Sequence, residues 1–192
     1  MSKTHNKYKF SILVLIIMFF ACSKTYTPKP HGYMRIDFPE KAYQSFDTTF
    51  PYSFMYPKYG HIEDLSKIKE PYFINISFPD YNAKIHITYK KIKNNLSQYL
   101  EESRTFAYKH TIKATAINEK NYINYDKKIF GTVYEIKGNA ASFMQFYLTD
   151  SNKNFIRGAL YFNVESNYDS LLPAINFFSK DVIHLIETFS WK

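Results

Sequence analysis

Apolar residues recur at every second position through the middle of this chain, and that period of two constrains its fold more than any other feature. Tyr72, Ile74, Ile76 and Phe78 share one face of an extended segment, with Phe73, Asn75 and Ser77 on the other. Ile85, Ile87 and Tyr89 then alternate with Lys84, His86, Thr88 and Lys90. Side chains of a strand point to opposite faces in turn, so each run has one face to bury and one to leave polar. Pro79-Asp80-Tyr81-Asn82 between them is turn chemistry, and the pair reads as a hairpin. Strand patterns return at 115–123, Ile129 to Lys137, Ser142 to Leu148 and Phe155 to Val164, the last two joined by the turn-like Asp150-Ser151-Asn152-Lys153-Asn154. Earlier, Phe50, Tyr52, Phe54 and Tyr56 alternate with Pro51, Ser53 and Met55, which suits an edge strand because proline cannot donate to a ladder.

Two segments change period. Leu96, Tyr99, Leu100, Phe106, Ala107 and His110 fall at helical spacing behind Asn94-Asn95, a candidate cap. Near the end, Leu171, Ile175, Phe178, Val182, Leu185 and Phe189 recur in steps of four and three. Pro173 is tolerated there if Ser170 caps the helix, since first-turn amides have no intrahelical partner. The expected class is α+β, an antiparallel sheet of about six to seven strands with two main helices packed against it. In element order alone this resembles the PsbP/Mog1-like layout.

The first residues give an address. Lys3, Lys7 and Lys9 precede an apolar run from Phe10 to Phe20, interrupted only by Ser11. That run is short for a membrane span of about twenty residues and suits a secretory signal. Ala21 then precedes Cys22, the chain's only cysteine, which is the arrangement of a bacterial lipoprotein signal. Phe19 stands where leucine is usual. The expected organisation is a signal peptide over 1–21, a lipidated tether over 22–31 and a single α+β domain over 32–192, with Cys22 as the lipidation site. Acyl chains on Cys22 would make the membrane a partner, because two or more chains hold stably where one is reversible. No aspartate follows Cys22, so the usual inner-membrane retention cue is absent, and the periplasmic face of an outer membrane is the expected location.

The chain has 25 Lys plus Arg against 17 Asp plus Glu, and loss of the three signal lysines leaves 22 against 17, or +5. Only three of these bases are arginine (Arg35, Arg104, Arg157), whereas nucleic-acid readers rely on arginine forks. No nucleic-acid partner is expected. One cysteine excludes an intramolecular disulfide and a cysteine-cluster metal site. After His5, the histidines stand at 31, 61, 86, 110 and 184, with no pair at ligand spacing. His110 reads as a satisfied core or boundary residue and His86 as part of a strand's polar face. There is no G-x-S-x-G elbow, phosphate loop or calcium loop, and the adjacent Glu101 and Glu102 diverge by about 100° on a helix. No cofactor, metal or catalytic residue is assigned, and an enzyme is not expected.

Nine aromatic rings from Tyr33 to Tyr59 remain to be explained: Tyr33, Phe38, Tyr43, Phe46, Phe50, Tyr52, Phe54, Tyr56 and Tyr59. They could staple this segment to the sheet, form a protein interface, or make a carbohydrate platform.

The segment TPKPHGYMRIDFPEKAYQSFDTTFPYSFMYPKYG at 27–60, with its P-K-P-x-G-Y-x-R-I-D and Y-P-x-Y patterns, resembles the start of mature GldD gliding-motility lipoproteins of the Bacteroidetes. PYFINISFPDYNAKIHITYK at 71–90 and SRTFAYKHTIKATAI at 103–117 agree with that family as well. The resemblance implies an outer-membrane-associated lipoprotein needed for gliding and the linked type IX secretion system. It implies protein components of that machinery as partners, a non-enzymatic accessory or assembly role, and no functional residue beyond Cys22. The alternative is a periplasmic lipoprotein that binds a glycan or peptidoglycan fragment.

Overall fold

A computed structural model describes residues 36–192 apart from 66, 68, 69 and 166. Cys22, the signal peptide, the tether and Tyr33 lie outside the described residues. In chain order the elements are β1 (Tyr43–Phe46), β2 (Tyr52–Pro57), β3 (His61–Asp64), β4 (Ile74–Phe78) and β5 (Ala83–Lys91), then helix α1 (Leu96–Tyr108). The strands β6 (Ala114–Asn124), β7 (Ile129–Gly138), β8 (Ser142–Thr149) and β9 (Asn154–Phe162) follow, then helix α2 (Tyr168–Thr188) and the two-residue β10 (Ser190–Trp191).

Seven strands form one antiparallel sheet in the order β3-β4-β5-β9-β8-β7-β6, and β1-β2-β10 form a separate small sheet. The expected α+β class and the β4–β5 hairpin are present, with Ile74 opposite Ile87 and Ile76 opposite Ile85. The Phe50 to Tyr56 run differs from expectation in one respect. It lies not at the edge of the main sheet but between β1 and β10, where Ser190 and Trp191 pair with Ser53 and Tyr52.

The period of two sorts the main sheet into two unlike faces. One carries Ile74, Ile76, Phe78, Ile85, Ile87, Val133, Phe146, Leu148, Ile156 and Leu160, all buried in a single cluster with α2 and the small sheet. α2 contributes Ile175, Phe178, Val182 and Leu185, four of the positions its spacing marked, with Phe189 buried just past its end. Phe178 is fully buried against the rings of Phe38, Phe78, Tyr81 and Phe162. Truncating such a side chain to alanine costs about 3–5 kcal/mol.

Two caps differ from the sequence reading. Asn167 caps α2, its side-chain oxygen accepting from Ser170 N at 3.3 Å, so the helix starts before Ser170. Pro173 thereby falls in the second turn, where it has no N–H to offer the carbonyl four residues earlier. Asn95 precedes α1 without capping it, because its Oδ1 accepts from Lys93 N at 2.8 Å on the incoming loop. The turn at 150–154 is organised by Asp150 Oδ1, which accepts from the backbone N of Asn152, Lys153 and Asn154 at 2.8–2.9 Å.

The aromatic segment is core. Phe46, Tyr52 and Phe54 are buried, and Phe38, Phe50, Tyr56 and Tyr59 pack against them and against α2. Phe46 stacks on Phe54 at 5.0 Å and Phe38 on Phe177 at 4.2 Å. Of the three uses open to these rings, stapling to the body of the fold accounts for the described ones.

Candidate functional site

α1 lies on the other face of the sheet and touches β8 and β9. Its seam is narrow. Ser103 and Ala107 are its buried residues, while Phe106, expected on the apolar face, is 39% exposed. Small residues at the contact let the helix sit close, and the larger side chains splay to its sides. Along β3, β4, β5 and the end of β9, the strand faces turned to this side carry Glu63, Asn75, Ser77, Lys84, His86 and Tyr161. Asn75, Ser77, Lys84, His86 and Tyr161 line an open trough of about 840 Å³. At His86 and Tyr161 it meets a smaller hollow of about 280 Å³ beside α1.

Register builds a hydrogen-bonded chain across the trough. Asn75 lies opposite both Glu63 and His86. Its Nδ2 donates to Glu63 Oε2 at 2.8 Å, and Lys84 Nζ reaches the same oxygen at 3.1 Å. The other end of the amide, Asn75 Oδ1, is 2.6 Å from His86 Nδ1. With its nitrogen committed to a carboxylate, Asn75 presents only an acceptor to the imidazole, which assigns the proton to His86 Nδ1. The Asn75 hydrogen bond holds the Glu63 carboxyl below the usual glutamate range, with Lys84 and Ser77 adding to it against the effect of burial.

His110 sits in the 3-10 turn after α1, where Gln145 Nε2 approaches its Nε2 at 2.9 Å. Burial lowers its pKa, so it is neutral near pH 7 and fills the boundary role its position suggested. Glu101 and Glu102 face solvent, Glu102 accepting from Gln98 Nε2 at 2.8 Å. Among the described residues no three His, Cys, Asp or Glu side chains converge as a metal site. No described helix is long and apolar enough to cross a membrane.

A second polar cluster lies on the opposite side of the fold. Asp181 of α2 is fully buried and accepts from Lys41 Nζ at 2.7 Å, Tyr59 OH at 2.7 Å and Tyr43 OH at 3.0 Å. Lys41 Nζ also stands 3.2 Å from the centre of the Phe177 ring. Burial pushes the Tyr43 phenol up to about 12, with Asp181 adding to the effect, and pushes Tyr59 higher still. Burial lowers the Lys41 ammonium pKa against the pull of Asp181. The cluster clamps the chain entering β1 onto α2, which makes it an anchor of the fold rather than a surface for recognition.

Sequence reasoning missed both clusters, since each is assembled by register or by contacts more than a hundred positions apart. The alternation of Lys84, His86 and Thr88 was the one visible trace of the trough.

An antiparallel sheet with a helix on each face is an α+β layout of the kind a PsbP structure also shows. The solution structure of cyanobacterial PsbP (CyanoP) from Synechocystis sp. PCC 6803 is similar at a TM-score of 0.51, covering 85% of this chain and 100% of that one at 12% identity. A likeness at that identity speaks for the fold alone. The chain belongs to the gliding motility lipoprotein GldD family, whose model matches residues 23–191. A search of curated proteins returned no match. Family membership associates the protein with gliding motility and with lipid-anchored attachment to the cell envelope.

Proposed function

We propose that this protein is a non-enzymatic accessory or assembly factor, held by acyl chains on Cys22 at the periplasmic face of the outer membrane, that supports gliding motility and the linked type IX secretion system. The observation that carries this reading is the family match, which runs from residue 23, immediately behind Cys22, to residue 191. Anchoring confines the folded part to a membrane and raises its effective concentration near membrane partners. The surface offered to such a partner is the open sheet face, whose amides, imidazole and ammonium complement polar groups of another chain. Asn75 holds the His86 ring in one orientation through Nδ1.

The test is quantitative proteomics of medium and envelope from a clean deletion, a complemented strain, a Cys22→Ala strain and an Ala141→Trp strain. Ala141 is exposed on the rim of the trough, so a tryptophan there obstructs it without entering the core. The expected outcome is loss of type IX cargo from the medium in the deletion, with partial loss in both variants at native abundance. Depletion of machine components alongside cargo defines an assembly role, and cargo loss with those components intact defines a working part. Unchanged secretion and spreading in the deletion refutes the reading and moves a glycan-binding lipoprotein to the front.

A further inference from the structure

Arg157 meets no carboxylate among the described residues. It sits on β9, opposite Thr88 of β5 and Tyr147 of β8, and it lines the 280 Å³ hollow beside α1. Its guanidinium carbon lies 4.1 Å from the centre of the Phe106 ring, and Lys109 Nζ lies 4.9 Å from the same ring. Two cations thus gather on one phenyl group, and neither forms an ion pair with a described residue. Lys41, Lys84, Lys90, Lys120 and Lys192, by contrast, each meet a carboxylate. Burial pushes Arg157 below the usual arginine range, with Tyr161 and the more distant Glu102 acting against it.

A partly buried guanidinium costs free energy unless it is paired, and stacking on an aromatic face recovers only part of that cost. The ring contact leaves the guanidinium N–H groups without an acceptor among the described residues. Those groups form a rigid fork matching the two oxygens of a carboxylate. Burial favours the neutral form of His110, Gln145 is an amide, and none of the described residues lining the hollow is a carboxylate. The volume of the hollow suits one side chain. Where it opens at His86 and Tyr161, the trough beyond is lined by Ser77, Asn82 and Asn163, whose polar side chains complement a peptide backbone.

We infer that Arg157 and Lys109 form a carboxylate-binding pocket for an acidic side chain of a partner polypeptide whose backbone lies along the trough. This deepens the proposed use of the open face and rests on it.

The test uses the full-length lipoprotein in detergent, titrated with the capped peptide Ala-Ala-Glu-Ala-Ala, its Gln counterpart, inorganic phosphate, and phosphatidylglycerol vesicles. With three arginines in the chain, side-chain nitrogen NMR reads Arg157 directly. The Glu peptide is expected to move the Arg157 signal saturably and the Gln peptide to leave it in place. Arg157→Gln should weaken Glu-peptide binding about tenfold or more, and the exposed Lys109→Gln, which leaves the sheet untouched, several-fold. Equal binding of Glu and Gln peptides, or Glu-peptide affinity unchanged in both variants, overturns the pocket. So does a response to phosphate or vesicles without one to the peptide. Solution binding decides the pocket and cargo release from the deletion strain decides the function, so either can fail alone.

Discussion

Lys41 Nζ and Asp181 Oδ2 are 2.7 Å apart, the acid without solvent exposure and the base about one quarter exposed. The two residues are 140 positions apart, and their pairing fastens the start of the folded chain to its last helix. Burial outweighs the acid's attraction in setting the Lys41 pKa, so the pair is not a simple gain in stability. Asp181→Leu strands an ammonium and two phenols and should cost about 3–5 kcal/mol. Lys41→Met should cost less, because Tyr43 and Tyr59 still donate to the acid. The double variant should recover part of the Asp181→Leu loss. Urea unfolding of all four proteins measures the coupling, and strictly additive losses would contradict it.

Alkali should unfold the protein through its phenols. Tyr43 and Tyr134 titrate at about 12 in the folded chain, and Tyr52 and Tyr59 higher, each raised first by burial from 10.0. A raised folded pKa contributes stability that is complete below the unfolded value and is lost as pH climbs through the folded one. Stability should therefore hold up to pH 10 and fall between 10 and about 12. Unfolding midpoints across that window, followed with tyrosinate absorbance, check it; a flat profile would sink the argument.

The Glu63–Asn75–His86 chain makes a paired spectroscopic prediction. Asn75→Ala removes the largest influence lowering the Glu63 pKa, which should move up toward 4.5. The stability that Glu63 contributes above its unfolded pKa, and loses as pH falls through its folded one, should shrink with it. His86 should carry its proton on Nδ1 in the native protein and lose that preference in the variant. Carboxyl-carbon and imidazole-nitrogen NMR report both, and a wild-type His86 protonated on Nε2 would exclude the assignment.

Two glycines are fixed by close approach within the sheet. A Cβ at Gly158 would stand 2.2 Å from the Phe146 ring, and one at Gly131 would stand 2.1 Å from the Tyr147 carbonyl oxygen. Gly158→Ala should destabilise by about 1–3 kcal/mol, since a ring can turn aside. Gly131→Ala should cost more, because its obstacle is backbone of the neighbouring strand. Thermal melting of the two proteins orders them, and the reverse order would contradict the reading.

Much of the sheet was legible because burial on one face writes itself as alternation, as at Ile74 to Phe78 and Ile85 to Tyr89. α2 was legible for the same reason at a different period. β1, β3 and β10 were not, since strands of two to four residues are too short to show a period. Asn95 and Ser170 misled as caps because a cap is decided by which backbone N–H lies within reach, a property of the loop rather than of residue type. The trough was half legible: parity placed His86 and Lys84 on one face, but the bond from His86 to Asn75 depends on the register of β5 against β4. Arg157 meets Phe106 across a strand and a helix, with nothing in the sequence to link them.

The pairing of Ser190 and Trp191 with β2 bears on how such a chain is delivered. A polypeptide emerging N-terminus first, from a ribosome or a translocation channel, presents Tyr43–Pro57 well over a hundred residues before Ser190–Trp191. The early segment cannot complete its sheet until β10 arrives, nor Lys41 find Asp181 until α2 does. Closure of the small sheet around the early aromatic segment is thereby deferred until β10 has emerged.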